Sequence, residues 1–274
     1  LSLIGSYKGW EANVALLYTH IQDHTVAQAD AMQKLTPMFL LSYKKDEWIF
    51  RAFHKRIFRA PTLNDLYYTL VGNTKLNPEY TSQWDAGIDY KGKRFHFAVD
   101  GYYNHIDDKI VAIPMKCQFR WSMVNFGKVK SYGASFSGGY NQDWGKFSLA
   151  ANANYTYQID KDYTMPSDPE YKNYIPYSPM HSGSVILDLG YDSYSLCTSF
   201  LYTGERFALV SNNADDLLGD WYTIDLKLNK RFKIGKYVLQ TTLECNNLTD
   251  SRHEVVKRYP MPGRNWKCTV KFEL

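Results

Sequence analysis

Asn265-Trp266-Lys267-Cys268-Thr269-Val270-Lys271-Phe272-Glu273-Leu274 closes the chain. Trp266, Cys268, Val270, Phe272 and Leu274 share one parity, and Lys267, Thr269, Lys271 and Glu273 share the other. Side chains alternate sides along a strand, so one face of this segment suits an apolar medium and the other suits water. A strand of a soluble sandwich can alternate in the same way, so the reading turns on whether the other segments repeat the pattern.

They do. Trp84, Ala86, Ile88 and Tyr90 oppose Gln83, Asp85, Gly87 and Asp89; Phe95, Phe97, Val99, Gly101 and Tyr103 oppose Arg94, His96, Ala98, Asp100 and Asn104. The same alternation runs through Phe147–Tyr157, Tyr222–Asn229 and Tyr237–Glu244. Thirteen strands are predicted, at about 1–7, 12–21, 36–43, 48–56, 81–91, 94–105, 124–140, 145–159, 180–191, 194–206, 219–232, 236–248 and 265–274. Tight turns rich in Gly, Asn, Asp and Lys are predicted at 8–11, 44–47, 91–93, 141–144, 192–193 and 233–235. They alternate with long connections at about 22–35, 57–80, 106–123, 160–179, 207–218 and 249–264. Short turns at one end and long loops at the other, with apolar and strongly polar faces, describe an antiparallel transmembrane β-barrel with a wet lumen.

Composition agrees. The 274 residues include 23 Tyr, 14 Phe and 7 Trp, and the aromatics gather toward strand ends, where Tyr and Trp match the two membrane–water boundaries. No run approaches the ~20 apolar residues of a spanning helix, which excludes a helical membrane protein but not a barrel, whose alternating strands average to a polar-looking sequence. The net charge of +4 is spread along the chain, without the basic block of a nucleic-acid groove. Cys117, Cys197, Cys245 and Cys268 show no CxxC spacing; the last three, on strands, read as small fillers. The acids Asp107-Asp108, Asp160 with Asp162, and Asp215-Asp216 lack a calcium-loop pattern and read as solvated loop charge. No GxSxG, HExxH or Walker sequence occurs, and no residues assemble a catalytic triad.

Two motifs carry a family resemblance. Phe58-Arg59-Ala60-Pro61, continuing through Tyr67-Tyr68 to Leu76-Asn77-Pro78-Glu79, resembles a loop of TonB-dependent outer-membrane receptors in which FRAP and NP sequences flank an extracellular connection. Asn247-Leu248-Thr249-Asp250, followed by Pro262-Gly263-Arg264 before the last strand, resembles the close of the same barrels. The resemblance implies a 22-stranded barrel occluded by an N-terminal plug and driven through TonB. The chain would then be the C-terminal portion, about 13 of 22 strands, with the plug and first strands absent. The odd strand count fits a part better than a closed barrel. Leu1–Gly9 has no secretory-leader pattern, so such a leader is expected to have been removed or to lie outside this sequence.

Residue by residue, the motifs read as structural. Pro61 fixes its own backbone angle and favours an extended Ala60, ending the strand. Arg59 is expected to pair with a nearby acid such as Asp65. Pro262 and Gly263 shape the turn into the last strand. Tyr67 and Tyr68 are the candidates for stacking on a ligand. Haem receptors of the family carry a histidine between the two boxes, whereas Thr62–Asn77 contains none and His54 precedes the motif on a strand. The resemblance therefore favours cobalamin or a ferric siderophore as ligand, with no resident cofactor. The implied partners are outer-membrane lipid or lipopolysaccharide, TonB through the missing plug, and the small nutrient, in the bacterial outer membrane. Rival readings are an autotransporter translocator, which usually begins with a pore-threading helix where Leu1–Trp10 reads as strand and turn, or a barrel hydrolase.

Overall fold

The computed structural model describes residues 1–22, 32–114 and 120–273; Cys117 and Leu274 lie outside them. In chain order the strands are β1 (Ser2–Tyr7), β2 (Trp10–Ile21), β3 (Met32–Lys45), β4 (Trp48–Arg59), β5 (Glu79–Lys91), β6 (Phe95–Pro114), β7 (Trp121–Trp144), β8 (Phe147–Asp162), β9 (His181–Tyr191), β10 (Tyr194–Thr203), β11 (Arg206–Phe207), β12 (Leu217–Leu218), β13 (Trp221–Ile234), β14 (Tyr237–Asn246), β15 (Glu254–Val256), β16 (Tyr259–Pro260) and β17 (Asn265–Glu273). Thirteen of them form one sheet in the order β1 to β10, then β13, β14 and β17, every neighbour antiparallel. All thirteen strands predicted from the alternation are present. An odd antiparallel series leaves β1 and β17 pointing the same way, and they stand at opposite ends of the strand order.

Six connections at one end are two or three residues long. The five two-residue turns use positive φ at Lys8, Gly9, Asp46, Gly145, Asp192 and Gly235, the twist that hairpins of this length require. The turn predicted at 141–144 is displaced: β7 continues through Trp144, opposite Phe147, and the chain reverses at Gly145-Lys146.

The expected loop over 106–123 is also corrected. β6 and β7 run together to the pair Pro114–Trp121, well beyond the other strands. The buried parity changes at Asp108 (φ 54°), where the ladder skips a pair: Ile106 and Val129 before it, and Phe126, Val111 and Val124 beyond it, gather with Ile175 and Val210 from other loops. Loop 57–80 contains a short helix, α1 (Leu63–Tyr67), and the later loops carry the two-stranded ribbons β11–β12 and β15–β16.

The rest of the outward face is exposed and apolar, including Trp84, Phe136, Val185, Leu228 and Val270. Aromatic rings line it near both ends. Next to the short turns stand Trp48 and Tyr90 (5.0 Å between ring centres), Phe95 and Tyr140 (4.6 Å), and Phe147 and Tyr191 (4.4 Å). Toward the loops stand His54 and Trp84 (4.1 Å), Tyr157 and His181 (5.1 Å), and Phe200 and Tyr222 (5.9 Å). Phe147 and Tyr157 on β8 are ten steps apart, about 33 Å along a strand. At the ~40° tilt of such barrels that is about 25 Å of height, the apolar band of an outer membrane.

The inward face is polar and cross-linked. Arg51 of β4 reaches both Asp89 of β5 and Asp100 of β6. Gly87 stands directly between Arg51 and Asp100 in register. A Cβ there would lie 2.0 Å from Asp100 Oδ1, so only glycine lets charges two strands apart meet over it.

Candidate functional site

The long-loop end is one connected rim, and the FRAP segment anchors its first part. α1 starts with a reciprocal cap: Thr62 Oγ1 accepts the Asp65 N–H at 3.1 Å, and Asp65 Oδ2 accepts the Thr62 N–H at 2.9 Å. This satisfies two donors that a helix start leaves open. Arg59 lies 3.3 Å from Asp65, the partner read from the sequence, and also 3.4 Å from Glu79. Glu79 in turn accepts the Ile110 N–H at 3.0 Å. One guanidinium thus ties the end of β4, α1 and the start of β5 to the β6–β7 hairpin. Phe58 faces outward, its ring 5.4 Å from Tyr80, while Ala60 and Pro61 follow the last residue of β4. Tyr67 and Tyr68 sit at the end of α1, both exposed.

The next contacts pass from loop to loop. Asn73 Nδ2 donates to Met123 O at 3.0 Å, and Asn125 bridges Asn77 and Asp108. Tyr163 N donates to Lys128 O at 2.7 Å, and the Trp121 and Tyr177 rings stand 5.6 Å apart. Asn173 and Asn212 exchange side-chain hydrogen bonds with each other's loops. Two of the acids read as solvated charge are instead buried. Asp160 accepts Ser178 Oγ at 2.5 Å; Asp216 accepts Lys257 Nζ at 3.0 Å and Ser211 Oγ at 3.1 Å. Loops folding over these carboxylates exclude the water that the sequence pattern suggested.

Arg206 of β11 is the central bolt. It is 4% exposed, and its fork donates to the carbonyls of Glu254 (2.5 Å), Val255 (3.2 Å), Gly219 (3.4 Å) and Gly204 (3.5 Å). Burial lowers its pKa from the ordinary value, opposed by the nearby Tyr177 phenol. Burial likewise raises Tyr177. On Glu170, burial first and then Asp168 and Asp162 push the carboxyl above its usual range.

The closing motif is a bracket. Asn247, buried and at φ 51°, donates its N–H to Asp225 Oδ1 at 2.7 Å. Its amide donates to Ser251 O (2.9 Å) and Pro262 O (3.3 Å). Leu248 N donates to Ile224 O at 2.7 Å. Asp250 accepts the Arg264 N–H at 2.8 Å, with Gly263 passing close to that carboxylate, and Arg264 reaches back to Leu248 O at 3.4 Å. The start of the last loop is therefore pinned to β13, and its end is pinned to its start.

Between this loop and the one carrying Arg206 lies a cavity of about 710 Å³, lined by Asp220, Trp221, Arg252, His253, Glu254 and Met261 among others. Trp221 and His253 stack with ring centres 4.2 Å apart. Its size and mixed lining suit a polar small molecule with a planar portion. Tyr67 and Tyr68 do not line it. Trp221, His253 and Arg206 were not singled out by the sequence, where each is an isolated residue in a loop or at a strand start. The cap on α1 did have a signal, Thr62-Leu63-Asn64-Asp65, in the pattern of a capping box. Among the described residues no cluster of His, Cys, Asp and Glu is arranged to hold a metal ion.

A family model described as "TonB dependent receptor-like, beta-barrel" matches residues 5–248. The vitamin B12 transporter BtuB of Vibrio vulnificus (strain YJ016) is 23% identical over 220 residues, which is 78% of this chain and 33% of the relative. The copper transporter OprC superposes with a TM-score of 0.71 at 15% identity, covering 98% of this chain and 46% of OprC. The ferric citrate transporter FecA does so at 0.73 and 15% identity, covering 95% and 42%. At those identities the structural likeness shows the fold alone. The chain spans about a third of the length of the curated relative.

Proposed function

This chain belongs to the family of TonB-dependent receptor-like β-barrels, and from that premise we propose that it is the C-terminal barrel portion of a receptor importing a large, scarce nutrient across the bacterial outer membrane. Cobalamin or a ferric siderophore is the ligand class. Loops at the long-loop end face outward and capture the ligand, and TonB acts through a plug that the rest of the receptor supplies. Outer-membrane lipid, including lipopolysaccharide, surrounds the apolar face.

The observation that carries this reading is the pairing of an apolar, girdled outer face with a polar, cross-linked inner face across thirteen antiparallel strands. Such a sheet needs lipid outside and a wet lumen inside. The identity to a transporter named for vitamin B12 puts cobalamin first. The rim cavity supports capture of a bulky polar molecule: Trp221 and His253 offer a stacked surface, and Arg252 offers charge beside it. Tyr67 and Tyr68 remain candidates for a second contact, displayed on a loop held rigid by Asp65. The reading includes no enzyme activity and no nucleic-acid partner.

The test is uptake of labelled cobalamin, a ferric siderophore and haem by cells with the intact receptor as their sole route, with and without TonB. TonB-dependent uptake of one of the first two is expected, reduced at least tenfold by Trp221→Ala. Uptake indifferent to TonB, or of haem alone, overturns the reading.

A further inference from the structure

Four hydroxyls stand in one row across the inward face. Register places Ser135 of β7 opposite Thr156 of β8, Thr156 opposite Ser182 of β9, and Ser182 opposite Thr203 of β10. The side is fixed by the neighbours: Ser135 pairs with Asp100, which faces the lumen, while the alternate residues Phe136, Tyr155, Tyr157 and Val185 are exposed on the outward face. Two residues closer to the short turns lies a second row, Ser137, Asn154 and Ser184. Strands are ~4.8 Å apart and successive residues ~3.3 Å, so this panel measures about 14 Å by 7 Å.

The panel differs from the walls beside it. On β4–β6, Arg51 binds Asp89 and Asp100. On β10–β17, Ser199 lies 3.4 Å from Asp225, Asn229 bonds both Ser195 (3.1 Å) and Thr242 (2.7 Å), and Glu244 sits between Lys227 and Lys267. In those walls the polar side chains satisfy one another. The panel contains no ionisable group, and none of its residues is buried. Among the described residues no side-chain hydrogen bond or ion pair ties any of them to a neighbour.

The panel also connects to the rim cavity. Trp221, the stacked wall of that cavity, is the residue opposite Thr203 and so continues the row by one strand. Over β7 and β8 the panel is covered instead. Tyr102 lies across Gly133, where a Cβ would come within 2.9 Å of the phenol oxygen, and Gln158 and Asp160 both bond Ser178 of the loop above. One side of the panel therefore lies under a docked loop, and the other lies beside the cavity.

We propose that this panel is a transit site for the captured nutrient, and that it favours a molecule whose periphery carries neutral hydroxyl and amide groups over a polyanionic chelate. The inference rests on the receptor reading above and narrows its ligand class. A hydroxyl or carboxamide both donates and accepts, so a ligand leaving Trp221 exchanges hydrogen bonds with water for bonds to the panel at a small net gain. Groups of this kind guide a solute without trapping it, as a conducting path requires. A polyanion finds no cation within the panel. The other possible occupant is a plug segment seated on the same groups; continuity with the rim cavity favours the nutrient.

The experiment uses the intact receptor as its gene encodes it, in cells with no other route. The probes are cyanocobalamin, a neutral ferric trihydroxamate and a triply anionic ferric tris-catecholate; surface binding is measured without TonB and uptake with it. S135A/T156V/S182A/T203V should lower the maximal uptake of a neutral probe about tenfold while its binding Kd stays within about twofold. T156V alone should show the same split at about threefold. S135T/T156S/S182T/T203S, which keeps the hydroxyls, should restore most of the uptake. T198V/T241V, on the outward face beside Leu226 and Val270, should change neither quantity. Unboiled-gel mobility verifies that each barrel is folded. Maximal uptake unchanged in the first variant, binding lost in step with uptake, or import of the catecholate alone by the wild type overturns the proposal. Unchanged uptake with a new sensitivity to a large antibiotic assigns the panel to the plug and overturns it too. The premise is read from the wild type: no TonB-dependent import of any probe sinks the receptor reading and this inference with it, whereas TonB-dependent import that the variants leave unchanged sinks only the panel.

Discussion

Arg59 Nη2 stands 3.3 Å from Asp65 Oδ2, the same oxygen that accepts the Thr62 N–H at 2.9 Å. One buried carboxylate therefore closes the helix cap and receives the arginine at the end of β4. The arginine is nearly half exposed, so the pair itself adds little through charge, and water screens it. Most of the value lies in the cap and in satisfying a carboxylate that the fold has buried.

Asp65→Ala is expected to release α1, costing about 1 kcal/mol for the cap, and to open 60–78 to protease while the barrel stays intact. Asp65→Asn, which keeps an acceptor for Thr62, should be milder. Limited proteolysis followed by mass mapping distinguishes the two; equal cleavage would contradict the shared-oxygen account.

The lumen network gives a second outcome. Gly87→Ala places a methyl against Asp100 Oδ1, and Arg51→Leu leaves Asp89 and Asp100 without their shared cation. Both should destabilise the barrel by about 1–3 kcal/mol, read as a lower urea midpoint in lipid vesicles. The double variant should be far from additive, because each change breaks the same contact.

Arg206→Met should loosen the last two loops together, on the order of 2 kcal/mol, seen as faster hydrogen exchange in both 204–220 and 247–264. Arg206→Lys should rescue little of it, since a single ammonium cannot span carbonyls that a planar fork reaches at once.

Glu170 supplies a pH-dependent case. Burial and the neighbouring acids raise its folded-state pKa, so the protonated form fits the loop better. Its contribution is fully present below the unfolded pKa and is lost as pH rises through the folded one. Glu170→Gln is therefore expected to slow exchange in 163–180 at neutral pH and to make no difference below about pH 4. A gain that persisted in acid would point to packing instead.

Alternation alone identified the strands, their faces and their sequential order, because a period of two survives whatever the strand packs against. It erred where the docking of other loops changed the environment. The 106–123 segment reads as loop from its mixed chemistry, yet Ile106, Phe126 and Val129 bury against Ile175 from a loop about fifty residues further on. Asp160 and Asp216 read as solvated until other loops cover them.

The sequence by itself determined that this is an alternating antiparallel barrel wall, with short turns at one end, and that Arg59 had an acid within reach. Those are local matters of side-chain parity, turn chemistry and near neighbours. Only the tertiary structure decided that the loops form one rim bolted by Arg206, that Trp221 meets His253 over a cavity, and that Ser135, Thr156, Ser182 and Thr203 stand in a single row. Each of those depends on strand register and loop docking, which bring together residues tens of positions apart, and neither leaves a mark in the local pattern of residues.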